Sequence, residues 1–514
     1  MDAKEITRRF NEVDDALRVL TNKDPESALR SARALAADGI LDDVNVGMLR
    51  AATLINAGAE MRDAPAVHEG VAILRKLLEA LPDRCDLAYN LANGLTAQAD
   101  LVRSAYPQWY LETMDLRREA RRLYRSAGEA NSAPPLVAGE SFTNLGNSLA
   151  RAGRYAEAYD SYLRALGLDP TNGVALTGAA RILLRFVKDG IGDADVLRGV
   201  AAQHLKTARL NPERIRDLAG EQAYRDLSGL LQTEIPDGHL LDLSSASEYQ
   251  RFVAKHRLAL APTIEGLDLA MRRWDSLRID SVTESIDTEY GVPPLFAMFN
   301  VLKSDYLAAR YLAYTALADG FPESGKYSDT LDYACYGVRS SVLTLAQRAC
   351  MDLLDKVAVA ASEYLDLPEP SKSIYFTNRW YEARKDGGPM SWQPPIREEI
   401  EKGNLALVAL SEVSGDIAVG FLQEKRALRH ASTHRFTVLH DFGRDHVRKC
   451  GHVDHYDCAV FEEQLIESLQ LARAVLFYFV EMVRVCERQE TDSGSRRVPL
   501  IVPDHDWVRG DDGP

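Results

Sequence analysis

Sparse features narrow the reading first. Cysteine occurs six times in 514 residues, at positions 85, 335, 350, 450, 458 and 486, several of them inside apolar helical patterns. Such scatter makes no disulfide framework and points to reduced thiols. Long hydrophobic runs are missing too: the strongest, Ala474 to Val480, is under half the length of a membrane-spanning helix. The opening Met-Asp-Ala-Lys-Glu-Ile-Thr-Arg-Arg lacks the apolar segment of a secretory signal. A cytoplasmic protein with no membrane partner is therefore expected. Positive charge is in deficit, 61 Lys and Arg against 76 Asp and Glu, giving a net charge of −15. The averaged field of such a surface repels phosphate, which excludes a protein that coats nucleic acid over its whole face. What remains is ordinary for a globular chain: 46% apolar and 27% charged residues, with a length that calls for roughly two to four domains.

The charge deficit reverses in one place. Between Phe421 and His452, seven Lys or Arg (425, 426, 429, 435, 444, 448, 449) face three acids (Glu424, Asp441, Asp445). Six of the eleven histidines (430, 434, 440, 446, 452 and 455) fall in or just after this window. Its centre is Arg426-Ala-Leu-Arg-His-Ala-Ser-Thr-His-Arg-Phe-Thr-Val-Leu-His440, expected to be helical or to begin a helix-to-loop turn. Histidine moves protons near neutral pH and arginine grips phosphate, so chemistry is expected here before anywhere else in the chain.

The first half follows a different pattern. Phe142, Leu145, Gly146, Leu149, Gly153, Tyr155, Ala158, Tyr162, Ala165 and Pro170 are spaced as the packing residues of one 34-residue helical hairpin, and they resemble a tetratricopeptide repeat. Small residues at 146, 158 and 165 let two antiparallel helices approach, and Pro170 turns the chain into the next unit. A hairpin cannot bury both faces alone, so neighbours are required. Weaker copies are present around Leu176, Ala179, Ala180, Ala201, Leu205 and Ala208, and around Leu91, Ala92, Leu95, Ala120, Tyr124 and Ala127. The upstream copy needs an insertion near Tyr106-Pro-Gln-Trp-Tyr110. Degenerate repeats from Pro25 to Ala37 and up to Leu81-Pro82 cap the stack. A tetratricopeptide-repeat-like solenoid is thus expected over 1–220, with a groove suited to a protein or peptide partner.

Residues 221–292 read as a connector, broken by Ile235-Pro-Asp-Gly, Ala261-Pro262 and Gly291-Val-Pro-Pro294. Apolar three-and-four periodicity then returns. Helices are expected over 295–317, from about 330 to 365, over 396–413, from 417 into the basic stretch, and over 461–487. The aromatic loop 371–395 carries Phe376, Trp380 and Trp392, read as anchors to the core in preference to base-stacking platforms. These helices make an up-and-down bundle over 293–490, and the chain is all-α. Residues 491–514 are expected to be a flexible tail.

Within that bundle, Arg429-His430-Ala-Ser-Thr-His434 between the last two helices resembles the HEPN superfamily, whose hallmark is Arg, four to six residues, then His. The Leu354-Asp-Lys-Val-Ala358 helix and the fusion to tetratricopeptide repeats resemble one prokaryotic branch of it. The resemblance implies metal-independent cleavage of RNA by a homodimer whose two motifs face each other, with no cofactor, and a role as a toxin or antiviral defence effector. The 2′-OH of RNA is the nucleophile, so the protein need only move protons and stabilise the phosphorane. His434 is expected to serve as base or acid, Arg429 to offer a donor fork to the phosphoryl oxygens, and His430, one turn before His434, to orient it or touch phosphate. Lys425, Arg426, Arg435 and His440 are expected to line the RNA path.

Three alternatives stay open. Arg435 to His440 is a second Arg-x4-His; the first is preferred because a polar residue follows its Arg, whereas Phe436 looks like a core contact. A structural zinc could be held by His430 and His434 or by Cys450, His452, Asp454, His455, Asp457 and Cys458, but the spacings match no tight template, and no metal is expected. The third alternative is a non-catalytic adaptor that binds a protein partner or a nucleotide.

Overall fold

The computed structural model describes residues 3–38, 40–236, 238, 243–261, 275–280, 282–285, 292–318, 320–368, 373–382, 390–425, 428, 435–442, 450–492 and 497–500. The chain divides into two compact units, one of residues 1–240 with 415–424 and one of 241–414 with 425–514.

The first unit is a run of antiparallel helical hairpins. Its helices are α1 (Ala3–Lys23), α2 (Pro25–Ala34), α3 (Asp43–Met61), α4 (Ala64–Ala80), α5 (Cys85–Leu101), α6 (Gln108–Glu112), α7 (Met114–Glu129), α8 (Pro135–Arg151), α9 (Tyr155–Leu168), α10 (Gly173–Lys188), α11 (Ala194–Leu210) and α12 (Pro212–Gln232). The pairs α3/α4, α5/α7, α8/α9 and α10/α11 pack as hairpins, and each packs on the next. Local chemistry sets the starts. Asp24, Asp42, Asp63, Asn172 and Asp193 cap helices by accepting from backbone N–H groups two or three residues on, and Pro25, Pro135 and Pro212 stand at first helical positions.

Close approach depends on missing side chains. A Cβ on Gly146 or on Gly178 would come within 2.6 Å of the Tyr162 ring. Tyr162 thus fills the gap between hairpins, and its hydroxyl donates to Asn147 Oδ1 at 2.8 Å. The insertion near Tyr106–Tyr110 is the short helix α6, where the guanidiniums of Arg117 and Arg151 lie over the Trp109 ring, 5.0 and 4.2 Å from its centre. These hairpins form the tetratricopeptide-repeat-like solenoid that the spacing predicts.

The second unit is mostly helical with two small sheets. Its helices are α13 (Glu248–Lys255), α14 (Pro294–Leu317), α15 (Val338–Tyr364), α16 (Pro394–Glu401), α17 (Leu405–Val419, of which residues from 415 on belong to the first unit) and α18 (Cys458–Asp492). α14, α15 and α18 pack on one another. Phe299 stacks on Phe479 at 6.5 Å, and the amide of Gln347 donates to the Ser468 hydroxyl at 3.0 Å. One helix expected over 396–413 is two, because Gly403 adopts a φ of 103° and Asn404 turns inward to donate to the Met482 carbonyl at 3.0 Å. The aromatic loop is anchored as expected: Phe376, Trp380 and Trp392 are buried, and the indole N–H groups of the tryptophans donate to Phe376 O and Ser411 Oγ.

Strands are the main departure. β1 (Val282–Ser285) pairs antiparallel with β5 (Arg497–Leu500), so four residues of the expected flexible tail belong to a strand. β2 (Ala334–Cys335), β3 (Phe436–His440) and β4 (Val453–Asp457) form a second sheet in the order β2-β3-β4, antiparallel and then parallel. The end of the basic stretch, expected to be helical or turning, is therefore extended. Phe436-Thr-Val-Leu is aromatic and β-branched, which fits a pleat better than a helix. Among the described residues no helix is long and apolar enough to cross a membrane.

Candidate functional site

The chain delivers its basic stretch directly into β3. Arg426, Arg429, His430 and His434 lie outside the described residues. Of the expected RNA-path residues, Lys425, Arg435 and His440 are described.

Lys425 is buried. Its ammonium pairs with Glu467 at 3.2 Å and donates to the Gln464 carbonyl at 2.8 Å, both on α18. Arg435, just before β3, is partly exposed and donates to the Asp454 carboxylate on β4 at 3.0 Å. Such a half-exposed pair contributes little stability but fixes where the guanidinium points. As placed, Lys425 and His440 offer no side-chain surface to a ligand, whereas Arg435 does.

His440 ends β3 with 0% of its surface exposed. Its Nδ1 lies 2.9 Å from the Asp332 carbonyl oxygen and its Nε2 lies 2.9 Å from Nδ1 of His455 on β4. A carbonyl only accepts, so His440 Nδ1 carries the proton. With His440 neutral, its Nε2 accepts from His455 Nδ1–H. His440 thus orients His455, much as a second-layer partner fixes the tautomer of a working imidazole.

The preference for the first Arg-x4-His rested partly on Phe436 being a core contact, and that is corrected. Phe436 is 73% exposed because it is the first residue of β3, where nothing covers it among the described residues. At the other end of the strand, Tyr333 and Phe442, both exposed, meet edge to face at 5.4 Å. Solvent-facing aromatics at both ends of a short strand carried no periodic signal in the sequence. In the sequence His455 stands only among the polar residues of a loop, since its partner is brought to it by strand pairing.

On the opposite face of this sheet, Cys335, Asp441 and Cys458 converge, with ligand atoms all within 4.8 Å of one another. Burial, then contact with Asp441, pushes the Cys335 thiol up to about 12; burial also raises Cys458, against the lowering effect of Arg339.

Residues 286–486 match the family described as LA2681-like HEPN, so the region holding the helical core and the three-stranded sheet is a HEPN-like domain. Over 108 residues, 20% of this chain, the protein is 29% identical to DnaJ homolog subfamily C member 7 homolog of Schizosaccharomyces pombe. The match spans 23% of that relative's length. Among solved structures, MamA MSR-1 C2 aligns at 22% identity over 40% of this chain and 98% of its own, with a TM-score of 0.24. MamA AMB-1 P212121 aligns at 21% identity over 40% of this chain and 93% of its own, with a TM-score of 0.23. At those scores the likeness carries no weight.

Proposed function

We propose that the protein is a metal-independent endoribonuclease, in which a HEPN-like domain cleaves RNA and the tetratricopeptide-repeat-like unit binds a regulating protein or peptide. The observation that carries the reading is placement: Arg429-x4-His434 lies inside the region that matches the HEPN family and runs straight into β3. In this reading Arg429 holds the non-bridging oxygens of the scissile phosphate, and His434 takes the 2′-OH proton or gives one to the departing 5′ oxygen, oriented by His430. Arg435 extends the phosphate path, and exposed Phe436 offers a face on which an unpaired base stacks. One motif supplies a single imidazole pair, so two copies of the domain facing each other would furnish separate acid and base around one phosphate. This composite site is the reason to expect a homodimer. A toxin or antiviral defence role fits an enzyme of this kind, held in check until its partner binds.

The test is incubation of the purified chain with labelled single-stranded RNA in EDTA. Cleavage that survives chelation, falls at least about 100-fold in His434→Ala and leaves 2′,3′-cyclic phosphate ends is the expected result. Intact RNA at concentrations where the chain is dimeric would refute it and favour a non-catalytic adaptor.

A further inference from the structure

We infer that Cys335, Asp441 and Cys458 form a binding site for one zinc ion, which clamps the sheet carrying Arg435, His440 and His455. Strand pairing brings the three together. Cys335 lies opposite Leu439, Asp441 directly follows β3 and donates its N–H to the Tyr333 carbonyl at 3.1 Å, and Cys458 follows Asp457, the register partner of His440. They come from chain positions far apart, so no local motif marks them.

The donor set is suited to zinc, which takes cysteine sulfur and carboxylate oxygen in tetrahedral sites. On such an ion neighbouring donors stand about 3.3–3.8 Å apart; the three side chains already lie within 4.8 Å of one another, so small rotamer changes close the site. Arg339 Nη1 is 3.5 Å from Cys458 Sγ and fixes where that sulfur points. Cys458 is also the first residue of α18, so the helix start holds its backbone in place. Glu462 Oε1, 3.5 Å from Cys458 Sγ, is paired with Arg339 and lies outside the cluster, so the fourth place is left to water. Binding deprotonates both thiols: the ion gains two thiolates and one carboxylate, and two protons pass to solvent.

Of the polar set that the sequence makes conspicuous, the site takes Cys458 alone. Cys450 is exposed and belongs to no cluster of potential ligands among the described residues. It therefore serves as the control.

The experiment uses the full-length chain, purified with reductant, stripped by chelator and titrated with Zn2+ alone. Expected are one equivalent bound per chain, release of about two protons per ion, and protection of Cys335 and Cys458, but not Cys450, from alkylation mapped by mass spectrometry. Co2+ in place of Zn2+ should give a thiolate charge-transfer band. Cys335→Ser and Asp441→Asn should abolish the equivalent, and Cys450→Ser should keep it. Sub-stoichiometric zinc in the wild-type chain, or protection that includes Cys450 and spares Cys335, overturns the assignment. So does a Cys335–Cys458 disulfide that forms equally with and without the ion. These readings on the wild-type chain stand even if a variant fails to fold.

Discussion

Asp416 offers the sharpest test of the packing. Its carboxylate is fully buried in the first unit between two fully buried guanidiniums. Arg121 donates to it through Nε at 2.9 Å and Nη2 at 3.1 Å, and Arg154 through Nη1. Arg154 is held in turn by Glu157, from Nε at 2.8 Å. Removing the carboxylate in Asp416→Ala leaves two buried cations facing each other. Breaking a buried pair from one side costs about 3–5 kcal/mol, against a total domain stability of about 5–15 kcal/mol. For a unit of this size that corresponds to a fall in Tm of roughly 6–20 °C. The assay is urea and thermal unfolding followed by far-ultraviolet circular dichroism, at low and high salt. The loss should hardly depend on salt, since water and ions do not reach the cluster. The double variant Arg121→Met with Asp416→Leu should recover most of the loss, because Arg154 keeps Glu157. A loss under about 1 kcal/mol for Asp416→Ala, the range of exposed pairs, would refute the reasoning and mean that water solvates the guanidiniums.

Two further outcomes follow from individual side chains. Burial holds the His204 imidazole down to about 4, and its Nε2 is buried without a hydrogen-bond partner. Because the folded value lies below the unfolded one, the unfolded chain takes up the proton first. The stability of the neutral form is complete above about pH 6.5 and should drain away by roughly 2–3 kcal/mol as pH falls towards 4. In His204→Leu the acid limb of the stability profile should flatten by that amount, and an unchanged profile would show that the ring is hydrated. Phe436→Ala should leave the melting temperature within a degree or two, since the ring is 73% exposed. It should weaken single-stranded RNA binding by about 1–3 kcal/mol if a base stacks there, and unaltered RNA affinity in a gel-shift titration would remove Phe436 from the path.

How much could be read beforehand depends on the range of the interaction. Helices α8 and α9, their glycines and Tyr162 follow from residues three and four apart, and the same period marks α14, α15 and α18. The weak repeat copies and the α6 insertion are also local, and they appear where spacing put them. Strand β3 was half legible: its residue types favour a pleat, but the arginines and histidines before it draw attention to a helix face. Its parallel partner β4 lies beyond the connection 441–452, and pairing across such a gap leaves no periodic trace.

The amino-acid sequence alone thus determined the helical repeats, the apolar stripes of the second unit and the basic stretch with Arg429 and His434. Each of these is set by side chains within one or two turns of each other. Only the tertiary structure decided that Asp416 lies buried between Arg121 and Arg154, that His440 orients His455, that Phe436 faces solvent, and that Cys335 meets Asp441 and Cys458. Those contacts join residues far apart in the chain, and their energies come from desolvation and strand register, neither of which a local pattern records.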